Sequence, residues 1–142
     1  MNEPDAPILQ MLAAYKAAVH AKDVDAFCAL FADDLRVFDL WGRWSHDGLP
    51  AWRDMATGWF GSLGDERVVV EFDEVRTRVS GDMATAHAFT KFGAISPAGD
   101  TLRSLSNRLT WVLQRQGDAW KVIHEHTSAP VDGATGKVIF ER

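Results

Sequence analysis

The chain has 142 residues, 46% of them hydrophobic, and a formal charge of −5 at neutral pH. That is apolar material for one packed core, so one domain is expected over residues 1–142, with residues 131–142 as a C-terminal tail. With 15 Lys and Arg against 20 Asp and Glu and no basic cluster, the chain lacks the stripe that phosphate neutralisation requires, and nucleic acid is not an expected partner.

No apolar run approaches the ~18 residues of a spanning helix, and the acidic opening Asn2-Glu3-Pro4-Asp5 leads into no signal-peptide core. Neither a membrane partner nor export is therefore expected. Cys28 is the only cysteine. Its place on the apolar side of a predicted helix reads as a core thiol, and that usage suits a reducing cytoplasm, the expected location.

Asp5 can cap a first helix with Pro7 in its opening turn, because Ile8, Met11, Leu12, Tyr15, Ala18 and Val19 recur at helical spacing. Asp23 can cap a second, striped by Val24, Phe27, Cys28 and Phe31 before Asp33-Asp34 interrupts. Leu35 to Trp41 reads as a brief strand. Gly42, Gly48 and Pro50 then bracket a loop and start a third helix that carries Trp52, Met55 and Trp59.

From Arg67 the texture becomes extended and rich in Val, Thr and Phe. Four strands are expected, near Arg67 to Val79, Met83 to Ile95, Thr101 to Arg115 and Trp120 to Ser128. The breaks between them, Ser80-Gly81-Asp82, Ser96-Pro97-Ala98-Gly99-Asp100 and Gln116-Gly117-Asp118, are turn-like. Helices followed by a meander imply an α+β fold, a cone in which three N-terminal helices pack on a strongly curved antiparallel sheet. The apolar run Val138-Ile139-Phe140 can pack on an edge of the sheet or on a neighbouring subunit.

This order of elements resembles the nuclear transport factor 2-like superfamily, and within it the SnoaL-like and ketosteroid-isomerase-like proteins, over residues 8 to 130. The resemblance is carried by Ala14-Tyr15, Asp23, Ala32-Asp33-Asp34 leading to Val37-Phe38-Asp39, Gly48, Asn107-Arg108-Leu109-Thr110 and Trp120 through Pro130. It implies that Tyr15 stands where ketosteroid isomerases place an oxyanion-hole tyrosine and Asp39 where they place the proton-moving aspartate. Their second donor, a protonated aspartate, is replaced by Thr110.

On the residues alone, Asp39 alternates with Leu35, Val37 and Trp41, so it is a carboxylate on an apolar strand face, where desolvation favours a base. A turn cap or a structural pair with Arg108 explains it equally well. His124, His126 and Ser128 share one face of the last strand and are expected in the pocket wall. Both imidazoles could instead be satisfied by neighbouring backbone or by Asp39.

Arg108 and Thr110 are expected beside the histidines, Arg108 binding a carboxylate or enolate oxygen or else pairing with Asp39. His87 and Phe89 are expected to turn inward by analogy with the isomerases. Trp41, Trp44 and Trp59 suit a flat apolar ligand, and also core packing or a dimer face. Trp111, of opposite parity to Arg108 and Thr110, is expected on the outer surface, where it favours a homodimer.

His124, His126 and Asp39 could in principle supply two imidazoles and a carboxylate to an ion, but no cysteine cluster or helical histidine spacing reinforces that reading, and no metal is expected. The first functional expectation is a cofactor-independent acid/base enzyme, isomerase- or dehydratase-like, acting on an apolar or aromatic small molecule. Asp39, Tyr15, His124 and His126 would be its catalytic groups. The alternative is a non-catalytic ligand-binding or homo-association domain of the same fold.

Overall fold

The computed structural model describes residues 3–142, so Asn2 of the acidic opening lies outside it. Helix α1 spans Ala6–Ala21, with Pro7 in its first turn and Ile8, Leu12, Tyr15, Ala18 and Val19 on its buried face. Asp5 occupies the cap position without a side-chain cap bond, and its Oδ2 accepts from the Thr77 hydroxyl at 2.9 Å instead. The helix closes on Lys22, whose φ of 56° is left-handed. Lys22 then anchors outward, its Nζ donating to the Gly64 carbonyl at 2.7 Å.

Helix α2 is only Val24–Cys28. Asp23 caps it as its sequence position predicts, Oδ1 accepting from the Ala26 amide at 3.0 Å. Phe31 does not continue the helical stripe. It opens strand β1, Phe31–Phe38, because Val122 donates its backbone N–H to the Leu30 carbonyl at 2.9 Å and draws the chain into a sheet. Asp39, Leu40 and Trp41, expected in that strand, lie past its end. Strand β2 is the two residues His46–Asp47. Gly48, at φ 87°, turns the chain into helix α3, Leu49–Ser62.

The four long strands follow where the turn residues place them: β3 Arg67–Ser80, β4 Met83–Ile95, β5 Thr101–Gln116 and β6 Ala119–Ser128. Their order in one six-stranded sheet is β2-β1-β6-β5-β4-β3. All neighbours are antiparallel except β1 and β6, which run parallel. An all-antiparallel sheet was expected because no crossover helix was apparent. The crossover is the chain from Asp39 to Asp118, which includes α3 and returns β6 in the direction of β1.

Register shifts bend the sheet, at Asp73/Arg76 in β3 and opposite Val112/Leu113 in the β5–β6 pair among others. At the first, Glu74 takes a left-handed φ of 54°. The core forms between the concave face and the helices, with α1 against β3 and α3 against α2 and β1.

Which side chains face that core differs from the sequence expectation on three strands. On β4 the buried residues are Ala84, Ala86, Ala88, Thr90 and Ala94, so His87 and Phe89 project from the convex side. On β5 they are Asn107, Leu109, Trp111 and Leu113, with Arg108 and Thr110 outside. Trp111 is 0% exposed, so the homodimer expectation loses the residue it rested on.

On β6 Val122 is buried, but the next buried residues are Glu125, Thr127 and Ala129. The irregularity that pairs Val112 with His124 but Leu113 with Val122 adds a residue to β6. One extra residue inverts the alternation beyond it. His124, His126 and Ser128 are thereby carried to the convex face.

Replacing the Asp23 cap by alanine is expected to cost about 1 kcal/mol of unfolding free energy, measured by urea denaturation, with the fold retained.

Candidate functional site

The concave face and the helices leave a cavity of about 440 Å³, reached by Tyr15 from α1, Trp52, Met55, Trp59 and Leu63 from α3 and its end, and Val68, Phe92, Ala94, Asn107, Glu125 and Thr127 from the sheet. Asp39 and Trp41, just beyond β1, complete the wall, and Arg103 and Ser104 stand at the far end of β5. Its lining is mostly aromatic and aliphatic, and its polar groups are few.

Two of those polar groups are carboxyls held in opposite ways. Asp39, half-buried, accepts from the Thr127 hydroxyl through Oδ1 at 2.9 Å. The same hydroxyl accepts from the Leu40 amide at 2.9 Å. Since an N–H can only donate, the Thr127 proton is committed to Asp39, and Oδ2 is left without a side-chain partner among the described residues. This bond replaces both sequence readings of Asp39, the turn cap and the pair with Arg108.

Glu125 is only 2% exposed. Its one side-chain bond comes from the indole of Trp111, Nε1 donating to Oε1 at 2.8 Å. Burial pushes its carboxyl up to about 8, with the Asp39 charge adding to the rise and the Trp111 hydrogen bond opposing it. Near pH 7 the group is therefore mostly protonated, a neutral donor rather than an anion. Tyr15 is raised well above the usual phenol range, first by burial and then by the charges of Glu125 and Asp39. It too is a neutral donor.

Tyr15, Asp39, Trp41 and Trp59 thus line the cavity as expected from sequence. The remaining expected site residues lie elsewhere. Trp44 is 98% exposed on the loop before β2. His124 is on the convex face, its Nδ1 within 2.7 Å of the Arg36 carbonyl oxygen, which is the backbone satisfaction weighed as its alternative. His126 packs edge-on to Phe38 with centroids 5.6 Å apart. Arg108 donates to Ser128 Oγ at 3.0 Å, and Thr110 and His87 are exposed beside it.

With the two histidines on one face of the sheet and Asp39 on the other, these three cannot converge on an ion. Among the described residues no group of three His, Cys, Asp or Glu side chains is arranged to hold a metal. Thr110 does not approach Tyr15 either; the β5 residue that does is Trp111, with ring centroids 6.0 Å apart.

Sequence reasoning missed Glu125, Thr127, Phe92 and Asn107. The sequence carries no local signal for Glu125, because its place opposite Trp111 depends on the extra residue in β6.

The SnoaL-like domain family model matches residues 8–132. A protein of unknown function with the nuclear transport factor 2-like fold from Pseudomonas putida KT2440 is 30% identical, with 97% of this chain and 94% of that one covered and a TM-score of 0.87. A proposed calcium/calmodulin-dependent protein kinase II association domain from Xanthomonas campestris is 14% identical over 91% of this chain and 89% of its own, with a TM-score of 0.76. A proposed aromatic ring hydroxylase from Novosphingobium aromaticivorans is 21% identical over 86% and 85%, with a TM-score of 0.69. At these last identities the likeness is one of fold alone. No curated protein matches the sequence.

The buried carboxyl has a consequence for stability. Unfolded, Glu125 returns to the ordinary range near 4.5, so between about 4.5 and about 8 the unfolded state binds fewer protons than the folded one. Stability contributed by this group therefore falls as pH rises through that window and levels off above it. Between about pH 5 and about pH 8.5 the change in unfolding free energy, measured by urea denaturation, should differ between the parent and Glu125→Gln by on the order of 3 kcal/mol, the variant losing less on going alkaline. Equal changes would mean that Glu125 ionises freely in the fold.

Proposed function

The chain belongs to the SnoaL-like domain family and has the nuclear transport factor 2-like fold, and on that premise we propose that it is a cofactor-independent acid/base catalyst. It is isomerase- or dehydratase-like and acts on a small, mostly apolar or aromatic carbonyl or hydroxyl compound. The observation that supports this is the meeting of Tyr15, Asp39 and Glu125 on one aromatic-walled cavity, where the carboxyl of Glu125 is pushed up to about 8 by burial. Two carboxyls kept in unlike environments are how one site supplies a base and an acid together.

In the isomerase form, Asp39 takes a proton from carbon next to the substrate carbonyl, and the electron pair moves onto the carbonyl oxygen. Tyr15 and neutral Glu125 donate hydrogen bonds to that developing enolate oxygen. Asp39 then returns the proton to another carbon of the conjugated system, so the substrate is neither oxidised nor reduced. In the dehydratase form the Glu125 proton leaves with the departing hydroxyl as water, and Glu125 recovers it from Asp39 or solvent. The chemistry thus assigned to His124 and His126 on sequence passes to Glu125.

The aromatic wall also favours ligand binding without turnover as a second reading. The two separate on Asp39→Asn. Proton–deuterium exchange next to the carbonyl, followed by NMR over a panel of cyclic and aryl ketones, should fall by about 10²- to 10⁴-fold if Asp39 is the base. Under the second reading the parent shows no exchange and the variant keeps its ligand affinity. The active parent should also lose rate as pH rises through about 8. Glu125→Gln, unable to ionise, should be slower but without that alkaline fall.

A further inference from the structure

Past Ser128 the chain folds into a short hairpin, with Asp132 donating to the Lys137 carbonyl and Ile139 to that of Pro130, each at 2.8 Å, and Val131 bridged to Val138. The β5–β6 pairing stops at Arg108 and Ser128, which leaves the edge of β5 open beyond it. The tail takes that place: Ser106 donates its backbone N–H to the Phe140 carbonyl at 2.8 Å. The last residue crosses further still. The Arg142 guanidinium sits 3.8 Å from the Phe89 ring centroid and pairs with Glu74 at the β3 bulge. Residues 131–142 are thus a strap anchored on three strands of the convex side.

At the middle of the strap, Phe140 stacks on Trp41, with centroids 5.3 Å apart and planes 19° from parallel. Trp41 is a cavity wall residue, yet 52% exposed, so it stands at the mouth. It lies outside any strand, on the stretch between β1 and β2, where no ladder fixes its backbone. The strap and the cavity therefore share one side chain, gripped from outside by a ring on the strap.

We propose that Phe140 is a specificity-determining residue of the cavity, acting through Trp41, and that the strap holds the indole in place to continue its stack onto a planar, unsaturated ring of the ligand. This rests on the reading of the cavity as a ligand site. Offset stacking favours flat π systems over saturated rings of equal bulk, so the strap sets a preference for the planar member of such a pair. Phe140 touches neither Asp39, Tyr15 nor Glu125 in any hydrogen bond or ring contact, and its role is to position Trp41.

The test compares 2-naphthol with its saturated analogue decahydro-2-naphthol by calorimetry, using the full chain. The parent should prefer 2-naphthol. Phe140→Leu, which keeps bulk but removes the ring, should bind 2-naphthol about three- to ten-fold more weakly and the saturated analogue nearly as before. Phe140→Trp should restore the preference. Arg142→Ala, remote from Trp41, loosens the strap's end without touching the mouth and should move the preference in the same direction, by less. If Phe140→Leu and Arg142→Ala, both folded by circular dichroism, keep the parent's preference, the strap inference is overturned while the pocket reading stands. If the parent binds neither compound, the pocket reading fails and the inference with it.

Discussion

A single hydrogen bond from Trp111 to Glu125 lies at the centre of the structure, because it joins the two most consequential burials in the sheet. An ionised carboxyl out of water with one neutral donor would be several kcal/mol too costly to hold there. Protonation removes most of that penalty, and the indole N–H satisfies one oxygen. The other is free to carry the proton toward the cavity. The bond exists only because the register irregularity in β6 turns Glu125 inward opposite Trp111, so the bend of the sheet and the character of the site have one origin.

The second carboxyl depends on the same strand. Thr127, two residues on and also buried, accepts from Leu40 and donates to Asp39. That hydroxyl ties the chain leaving β1 to β6 across the parallel pair and fixes one oxygen of Asp39 at the cavity wall. Glu125 and Asp39 are therefore positioned by one short stretch of β6, and the Asp39 charge adds to the rise of Glu125. A base at the half-buried position and an acid at the buried one is the division that this asymmetry favours.

Much of the fold was legible in local chemistry. Asp23 caps its helix, and Gly81 and Gly117, at φ 59° and 66°, form the turns their neighbours imply. The resemblance of residues 8 to 130 led to the family that the domain match over 8–132 shows. Tyr15 and Asp39 were legible too, one on a helical stripe and the other continuing an apolar alternation. The face of each later strand was less so. On β4 most of the inward residues are alanines, which signal burial weakly beside His87 and Phe89. On β5 the period of Leu109, Trp111 and Leu113 was plain, but the expected pairing beside His124 and His126 set Arg108 and Thr110 inward instead. On β6 the bulge leaves no mark in residue type, and a glutamate between two histidines reads as surface. The parallel placing of β1, decided by contacts far apart in sequence, was likewise invisible to local pattern.

The protonation state of Glu125 can be read directly. Carbon-13 NMR of the side-chain carboxyl, assigned by comparison with Glu125→Gln, should show a titration midpoint near 8, well separated from the other glutamates. A midpoint near the ordinary 4.5 would contradict the account, since Glu125 would then be an anion at neutral pH and no acid would accompany Asp39 on the cavity wall.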